Sequence, residues 1–524
     1  MTSIGSRTRP RGAALASPRG AALATVLAVL FLTFLDTTIV SVCLGSIQAD
    51  LHAGVISLQW VVNAYALVFA SLMLIAGSLS DRLGRKWVMV IGIVIFCAGS
   101  VMCALAPDVE TLIAGRAVMG VGAAASEPGT LSVIRHLYAD RAVRARALGA
   151  WAAVSGLALA LGPVIGGVLV GAGDWRTVFW FNLALGVALL AATVVFVPNS
   201  ADPQAGGLDI PGFVLGTAAL GCVIFAGISG ERAGYSAPWI VALFVIGGLA
   251  LVAFVLVERR ARNPMLDLKY LKKPIVRAAL FVAFAVYFGV FSIFFFTALY
   301  LDVAVGYSGW RLAGVFAPMA AAIVLGSLLT GVWVGRSGSR VPMIAGCVIG
   351  AAGILLTRHY LTAAPSFTAL AVVLAVAGLG FGIAVVPLTS AVLTHVPAAH
   401  SGMAASATNT SRQIGAVIGV VALGALVNSH LTSDLSDRLA SLGITGSIQK
   451  LILDAIETGG GNVGGFDIAH PPAIFKPIVD AATGAFRSGV HQALLASAVL
   501  ILLAAALTAL VPARSEAETV IEDV

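Results

Sequence analysis

The chain alternates between long apolar runs and short polar segments from about residue 21 onwards. The runs reach the roughly 20 residues that a helix needs to cross the hydrocarbon core of a bilayer. Backbone polar groups must be satisfied internally in lipid, so apolar runs of this length are predicted to be helices. The pattern predicts about fourteen membrane-spanning helices, near residues 21–44, 58–79, 87–105, 111–132, 146–170, 177–197, 209–229, 237–257, 277–301, 311–334, 341–361, 366–391, 402–428 and 488–512.

The two halves of the chain share an internal repeat. Gly77 and Gly84 correspond to Gly331 and Gly338, a shift of 254 positions. Further matches at this or nearly this shift are Arg82 with Arg336, Gly92 with Gly346, Gly99 with Gly353, Gly162 with Gly415 and Gly166 with Gly419. The second, third and fifth helices therefore resemble the tenth, eleventh and thirteenth. This repeat predicts an all-α membrane protein of two six-helix bundles with two helices inserted between them.

Composition agrees with a membrane protein and excludes a water-soluble one. Of the 524 residues, 59% are hydrophobic and 10% are charged, with a mean hydropathy of +1.00. Soluble globular proteins carry roughly 25% charged residues, so lipid is predicted to be the main solvent. The net charge of +7 does not indicate nucleic-acid binding, because the basic residues lie in short loops between apolar runs.

Arg and Lys are concentrated in alternate loops, which predicts the orientation. With the N-terminus inside, the inner segments hold most of the basic residues and the short outer loops hold few. We expect a multi-pass protein of the cell (inner) membrane with both termini cytoplasmic. The predicted organisation is an N-terminal tail (1–20), a first bundle (21–200), two inserted helices with a linker (201–275), a second bundle (276–512) with an external loop (429–486), and a C-terminal tail (513–524).

Several motifs in the expected order resemble those of one transporter family. The loop from Gly77 to Lys86 (GSLSDRLGRK) is similar to the loop signature of the major facilitator superfamily. The other motifs are Arg116 to Ala125 in the fourth helix, Gly156 to Leu169 in the fifth, Leu35 to Val40 in the first, Asp174 to Asn182 and Gly402 to Gly419. Together they resemble the fourteen-helix drug:proton antiporters of that superfamily.

The chain departs from the family pattern at three places. Ser41 and Gly45 stand where family members usually carry Asn and Pro. The second-half loop from Gly335 to Arg340 lacks an acidic counterpart of Asp81. Glu127 lies beside Pro128, where the family more often has an apolar residue, and this difference bears on the substrate.

The resemblance implies a proton-coupled exporter of hydrophobic or cationic drugs or antibiotics. A dedicated exporter of one endogenous metabolite and a proton-coupled importer are the alternatives within the transporter class. The expected partners are a small-molecule substrate, protons and the lipid bilayer, with no nucleic acid, and we expect a monomer. No enzyme, cofactor or metal site is predicted, because the sequence has no GxxxxGK[ST] run and its eight His show no zinc spacing.

Four ionisable residues lie well inside predicted spans, where such groups often mark ion or substrate paths. Asp36 and Arg116 are predicted at a similar depth, facing one cavity, and are candidates for proton coupling; the alternative is a buried pair that fixes helix packing. Glu127 is a candidate second proton site or a site for a cationic drug; the alternative is a pair with Arg135 or with the Arg141–Arg146 cluster in a gate. The fourth, Arg412, is a candidate cavity residue.

Three further groups of candidate residues follow from position and from the resemblance. The substrate-cavity candidates are Thr33, Thr37, Gln59, Asn63, Tyr65, Asn409, Arg412 and Gln413. For the residues of the second and thirteenth helices, the alternative is interhelical hydrogen bonding. The resemblance implies a gating role for Asp81, Arg82, Arg85 and Asp140, with Asp140 as a partner for Arg85. It also implies that the antiporter-type motif of the fifth helix, Gly156, Gly162, Pro163, Gly166 and Gly167, seals the bundle against leak.

Overall fold

The structure is a computed structural model that describes residues 18–138, 140–200, 209–261, 269–396, 401–444, 446, 449 and 476–512. The first bundle comprises α1 (Pro18–Ile39), the short α2 (Leu44–Leu51), α3 (Val55–Leu83), α4 (Arg85–Ala104), α5 (Val109–Leu137), α6 (Arg141–Ala172) and α7 (Arg176–Phe196). The inserted pair is α8 (Ile210–Ala233) and α9 (Pro238–Glu258). The second bundle comprises α10 (Pro274–Phe291), α11 (Gly309–Ser337), α12 (Arg340–Tyr360), α13 (Phe367–His395), α14 (Ser401–Ser441) and α15 (Lys476–Ala509).

Helix α10 continues beyond Phe291 through two π-helical segments, Ser292–Thr297 and Tyr300–Ala304. Within the described residues, 13 helices are long and apolar enough to cross a membrane. Helix α5 is not among them, although its 29 residues make it long enough. It carries Arg116 and Glu127, and these charges lower its hydropathy.

The sequence repeat has a structural counterpart at the turns that follow α3 and α11. Gly84 (φ 102°) links α3 to α4, and Gly338 (φ 73°) lies at the corresponding turn between α11 and α12. Residues with a Cβ rarely adopt this left-handed region. Both halves therefore use glycine at the same turn for the same backbone reason.

We call the end of the molecule at which α1 begins the proximal end and the opposite end the distal end. The two bundles meet near the distal end along two seams. In the first seam, α6 packs on α11, and Trp310 Nε1 donates to the Gly171 carbonyl over 2.9 Å. In the second, α3 packs on α14, and Gln59 lies against Gly424.

The inserted helices cover the second of these seams. Ile224 and Ile228 of α8 form one apolar cluster with Ala66 of α3 and with Val417 and Val421 of α14. Helix α8 therefore contacts both bundles at once, whereas α9 packs on α8 and leaves most of its surface exposed. An exposed apolar face of this kind suits contact with lipid.

The last two helices extend further than predicted. Helix α14 runs to Ser441 and α15 begins at Lys476, so both enter the segment predicted as an external loop, 429–486. Leu431, Leu435 and Leu439 repeat every four residues and pack on α15. The Ser, Asp and Arg residues between them lower the mean hydropathy, so the pattern of apolar runs did not predict this amphipathic extension of the helix.

Candidate proton and substrate site

The first of two buried polar clusters lies inside the first bundle. Arg116 Nη1 of α5 donates to Asp36 Oδ2 of α1 over 2.6 Å, and both side chains are essentially inaccessible to solvent. Asn182 Nδ2 of α7 donates to the other carboxylate oxygen, Oδ1, over 2.7 Å. We call Asp36, Arg116 and Asn182 the first-bundle cluster.

Arg116 is held on three sides. Its Nε donates to the Val61 carbonyl over 3.0 Å, and its guanidinium carbon lies 4.4 Å from the centre of the Tyr65 ring. Tyr65 is in turn fixed by its hydroxyl, which donates to the Thr33 carbonyl over 2.8 Å. A guanidinium is planar and presents five donors, so it can bind a carboxylate, a backbone carbonyl and an aromatic face together.

The second cluster bridges the two bundles. Asn409 Nδ2 of α14 donates to Glu127 Oε1 of α5 over 3.2 Å, and Arg412 Nη1 donates to Asn409 Oδ1 over 3.3 Å. Arg412 Nη2 also donates to Thr389 Oγ1 of α13 over 2.6 Å. Its guanidinium carbon lies 5.4 Å from the centre of the Tyr287 ring of α10. We call these five residues the inter-bundle cluster.

The two clusters lie at different depths because α5 carries one member of each. Glu127 follows Arg116 by eleven positions, which corresponds to roughly 16 Å of helical rise along one face. Glu127 is therefore nearer the proximal end. Trp151 Nε1 of α6 donates to Thr130 Oγ1, and that hydroxyl donates to the Glu127 carbonyl, which fixes the backbone at this point.

Several buried polar atoms near the clusters have no hydrogen-bond partner among the described residues. They include both side-chain polar atoms of Asn63, Arg116 Nη2, Asn182 Oδ1 and Arg412 Nε. Buried polar groups are nearly always satisfied by protein or by water. This unused capacity is what a hydrated cavity or a polar group of a ligand would satisfy.

The remaining cavity candidates are buried outside the two clusters. Thr33 and Thr37 donate to backbone carbonyls of their own helix. Gln59, Asn63 and Gln413 are buried. All the predicted cavity residues are therefore in the interior. Asn409 and Arg412 belong to the inter-bundle cluster, and Tyr65 packs on Arg116 of the first-bundle cluster.

The gating residues lie at the proximal ends of α3, α4 and α6. Arg85 Nη1 contacts the Ser132 carbonyl at 3.5 Å and Ser200 Oγ at 3.4 Å, within the first bundle. Asp140 caps α6 by accepting from the Val143 backbone N–H, and its pairing with Arg85 stays a prediction. The Arg82 side chain is exposed, and the side chain of Asp81 lies outside the described part of the chain. The alternative partners of Glu127 include Arg135, whose side chain is also outside it.

The glycines of the α6 motif serve different neighbours. A Cβ added to Gly166 would lie 2.6 Å from the Ile39 carbonyl of α1, and one added to Gly167 would lie 2.6 Å from the Gly309 carbonyl of α11. Gly162 likewise packs on α1, whereas Gly156 has open space beside it. One face of the motif thus packs within the first bundle and the next residue packs against the second bundle.

Pro163 leaves the Leu159 carbonyl without its usual helical partner, because proline has no N–H. Thr38 Oγ1 of α1 donates to that carbonyl over 2.9 Å. The proline therefore helps to hold α6 against α1.

A tie at the distal end joins α2 to α7. Asp50 accepts from Arg176 Nη1 over 2.6 Å and from Trp175 Nε1 over 3.0 Å. The hydrogen bond from Arg176 lowers the pKa of the Asp50 carboxyl below its ordinary value, with a smaller contribution from Trp175. Asp50 therefore remains ionised, and the tie persists, when the medium at this end becomes mildly acidic.

Sequence reasoning did not assign a role to Asn182, Thr389 or Tyr287. Asn182 had a usable signal, because it is an amide within the apolar run of α7. Thr389 and Tyr287 had none, since hydroxyl side chains are common in apolar helices and only tertiary packing places these two beside Arg412.

Comparisons with known proteins decide the family. The family model of the Major Facilitator Superfamily matches residues 26–420. The chain belongs to this superfamily. It is therefore a multi-pass membrane transporter and not an enzyme.

Members of the superfamily with similar sequences are named for drug resistance. The chain is 32% identical to multidrug resistance protein Stp of Mycobacterium tuberculosis over 82% of this chain and 79% of that protein. It is 35% identical to the methylenomycin A resistance protein of Bacillus subtilis (78% and 88%). It is 31% identical to the multidrug efflux pump LfrA of Mycolicibacterium smegmatis (92% and 94%).

The major facilitator fold is also shared with solved structures. A bacterial homolog of the human lysosomal transporter Spinster, crystallised in an inward-facing and unoccupied conformation, superposes with a TM-score of 0.62. It covers 96% of this chain and 98% of its own, at 17% identity. At this identity the likeness supports the fold alone.

Proposed function

We propose that the protein is a proton-driven antiporter that exports hydrophobic, often cationic, drugs or antibiotics by alternating access. The names of its relatives support efflux of such molecules, and the basic loops support an inner-membrane orientation with the proximal end cytoplasmic. The observation that carries proton coupling is the pair formed by Asp36 and Arg116, a carboxylate fully buried within the span region. A buried ion pair is costly unless its geometry is maintained, and ionisable groups within a membrane span commonly mark an ion or substrate path, which supports a functional role for this pair.

Protonation of Asp36 would change the first-bundle cluster directly. A neutral carboxyl group no longer forms an ion pair with the Arg116 guanidinium, whose Nη1 lies 2.6 Å from Asp36 Oδ2. It would leave Arg116 as an uncompensated charge that favours a wetter surrounding or another anion. In our proposal a proton arriving from the distal side weakens this pair as the substrate leaves, and the proton is released to the cytoplasm after the carrier reorients.

The inter-bundle cluster supports a role for Glu127 in the reorientation. The bond between Glu127 and Asn409 joins the two bundles on the proximal side of the first-bundle cluster. Opening the proximal end to the cytoplasm requires the bundles to separate there. A charge-assisted hydrogen bond is roughly twice as strong as a neutral one, so the ionisation of Glu127 would set how firmly this contact closes.

A dedicated exporter of one endogenous metabolite remains the second candidate. The methylenomycin resistance proteins, which are named for a single antibiotic, favour it. Screening a panel of structurally different drugs separates the two, since a narrow exporter would protect cells against one compound class only.

The test of the proposed function is dye efflux from cells that express the protein. Cells are loaded with ethidium and energised, and a protonophore is then added. We expect efflux that stops when the proton gradient collapses and that is lost in Asp36→Asn, because the amide cannot bind the coupling proton. Asp108→Asn is the control, since Asp108 is exposed and caps α5, and Asn caps helices equally well. Normal efflux by Asp36→Asn at an equal amount in the membrane would contradict the assignment.

A further inference from the structure

A third carboxylate, Asp302, lies near the distal end and outside both clusters. It belongs to the π-helical continuation of α10, Tyr300–Ala304, and is therefore part of the second bundle. Its carboxylate accepts a hydrogen bond from the backbone N–H of Gly45, at the start of α2 in the first bundle. This bond joins the two bundles on the side opposite to the contact between Glu127 and Asn409.

The groups that stabilise an ionised Asp302 carboxylate lie on the side of the first bundle, at the start of α2. Gly45 is in the first turn of α2, whose backbone N–H groups have no helical acceptor and carry the positive end of the helix dipole. Among the described residues, none forms an ion pair with Asp302. The first turn of α2 is thus the main electrostatic partner of this carboxylate.

The other titratable groups nearby are engaged elsewhere. Arg487 of α15 hydrogen-bonds Tyr300, His491 of α15 contacts the Leu361 carbonyl, and Arg311 of α11 stacks on Tyr307. On the first bundle the groups are the buried Cys43 thiol and, further inside, Asp36 and Arg116. None of these bonds requires Asp302, so its charge can change without breaking them.

The contact also depends on glycine. A Cβ added to Gly45 would lie 2.6 Å from Asp302 Cγ, closer than real side chains approach each other. A residue with a side chain would displace the carboxylate, and a proline would in addition lack the N–H that donates to it. Gly45 therefore supplies both the space and the donor.

We propose that Asp302 is a proton-binding site of the outer gate, distinct from the coupling site. The ionised carboxylate holds α2 against α10 and keeps the distal end closed; a proton from outside weakens the bond and favours opening. The proton returns to the same side when the gate closes, so it is not carried across the membrane. This inference rests on the orientation in the proposed function, in which the distal end faces outwards.

The native Cys43 gives a direct measure of gate opening, because it is fully buried and two residues before Gly45. Cys97, Cys103, Cys222 and Cys347 are replaced so that Cys43 is the only thiol. A membrane-impermeant methanethiosulfonate reagent is added outside at external pH values from about 8 to about 5, without drug. At each pH, the labelling rate of Cys43 in the protein that retains Asp302 is divided by the labelling rate in the Asp302→Asn variant. This labelling ratio cancels the pH dependence of the thiol itself.

We expect the ratio to be about one fifth at high pH and to rise towards one as the pH falls, from the difference between a charge-assisted and a neutral hydrogen bond. Gly45→Ala should label like Asp302→Asn, since it removes the contact from the other bundle. Asp174→Asn, which removes an exposed carboxylate near the same end, should keep the wild-type response.

A ratio that stays constant across the pH range would overturn the proposal, and so would wild-type labelling of Gly45→Ala. Because labelling needs neither drug nor transport, these outcomes are independent of the efflux assay. If the labelling ratio depends on pH but dye efflux does not depend on the proton gradient, the coupling proposal is refuted and the gate proposal stands.

Discussion

At the scale of single residues, the chain places charge inside the membrane in pairs that differ in kind. Asp36 and Arg116 form an ion pair within one bundle, and Asn182 donates to the second oxygen of the Asp36 carboxylate. Glu127 and Arg412 are both buried, and Asn409 lies between them across two bundles. The first arrangement suits storage of a proton, and the second suits control of a contact.

This difference predicts the behaviour of Glu127→Gln. The amide can still accept from Asn409 but loses the charge, so we expect export of ethidium and of a neutral drug to fall together, by about tenfold. Glu110→Gln, an exposed change in the first turn of the same helix, is the matched control. If only ethidium export falls, Glu127 binds the cationic group of the substrate instead.

The sequence was informative about residues where charge in an apolar run is rare. It singled out Asp36, Arg116, Glu127 and Arg412, and the structure places all four in the interior. It could not show that Asn409 bridges to Glu127, because the two are 282 positions apart and belong to different bundles. It also passed over Asp302, which lies at the end of a long apolar run where a charge is ordinarily unremarkable.

At the scale of helices, the structure separates two uses of glycine within α6. Gly167 allows α6 to approach α11 of the other bundle, whereas Gly156 faces open space. Both were predicted from one motif, and spacing alone could not tell which neighbour each glycine meets. The repeat matched Gly84 with Gly338, and the structure places these two glycines at corresponding turns, both with positive φ.

This contrast predicts opposite results for substitutions in one helix. Gly167→Leu should impair closure of the distal seam and reduce efflux severely, because overpacking a close backbone contact costs about 1–3 kcal/mol. Gly156→Ala should leave efflux unchanged and stabilise α6 by up to about 1 kcal/mol through helix propensity. Efflux and thermal unfolding of the purified proteins check both, and equal loss in the two variants would show that the motif acts through general helix geometry.

At the scale of the whole molecule, the two seams between the bundles correspond through the internal repeat but are not equivalent. Glycine contacts close the seam between α6 and α11, and the inserted helix α8 covers the one between α3 and α14. The sequence predicted that two helices were inserted, but their apolar surfaces could not show where they pack.

Alternating access requires the seam between α3 and α14 to part. In a variant without native cysteines, Gln59→Cys with Gly424→Cys places two thiols where the side chain of Gln59 now touches the glycine. We expect oxidation to abolish dye efflux and a reductant to restore it, while each single variant is insensitive to oxidation. Efflux that continues at full rate through the crosslinked protein would show that this seam stays closed during transport.

The low hydropathy of α5 has a consequence for how the protein is made. Arg116 alone would cost about 2.5–3.5 kcal/mol at the centre of a helix leaving the translocon, and Glu127 adds to that penalty. Helix α4, which precedes α5, is strongly apolar, and Gly92 and Gly99 let the two pack closely through Gly122 and Gly115. We therefore expect α4 and α5 to enter the bilayer together as a hairpin during synthesis, with α5 retained by its neighbours until Asp36 pairs with Arg116.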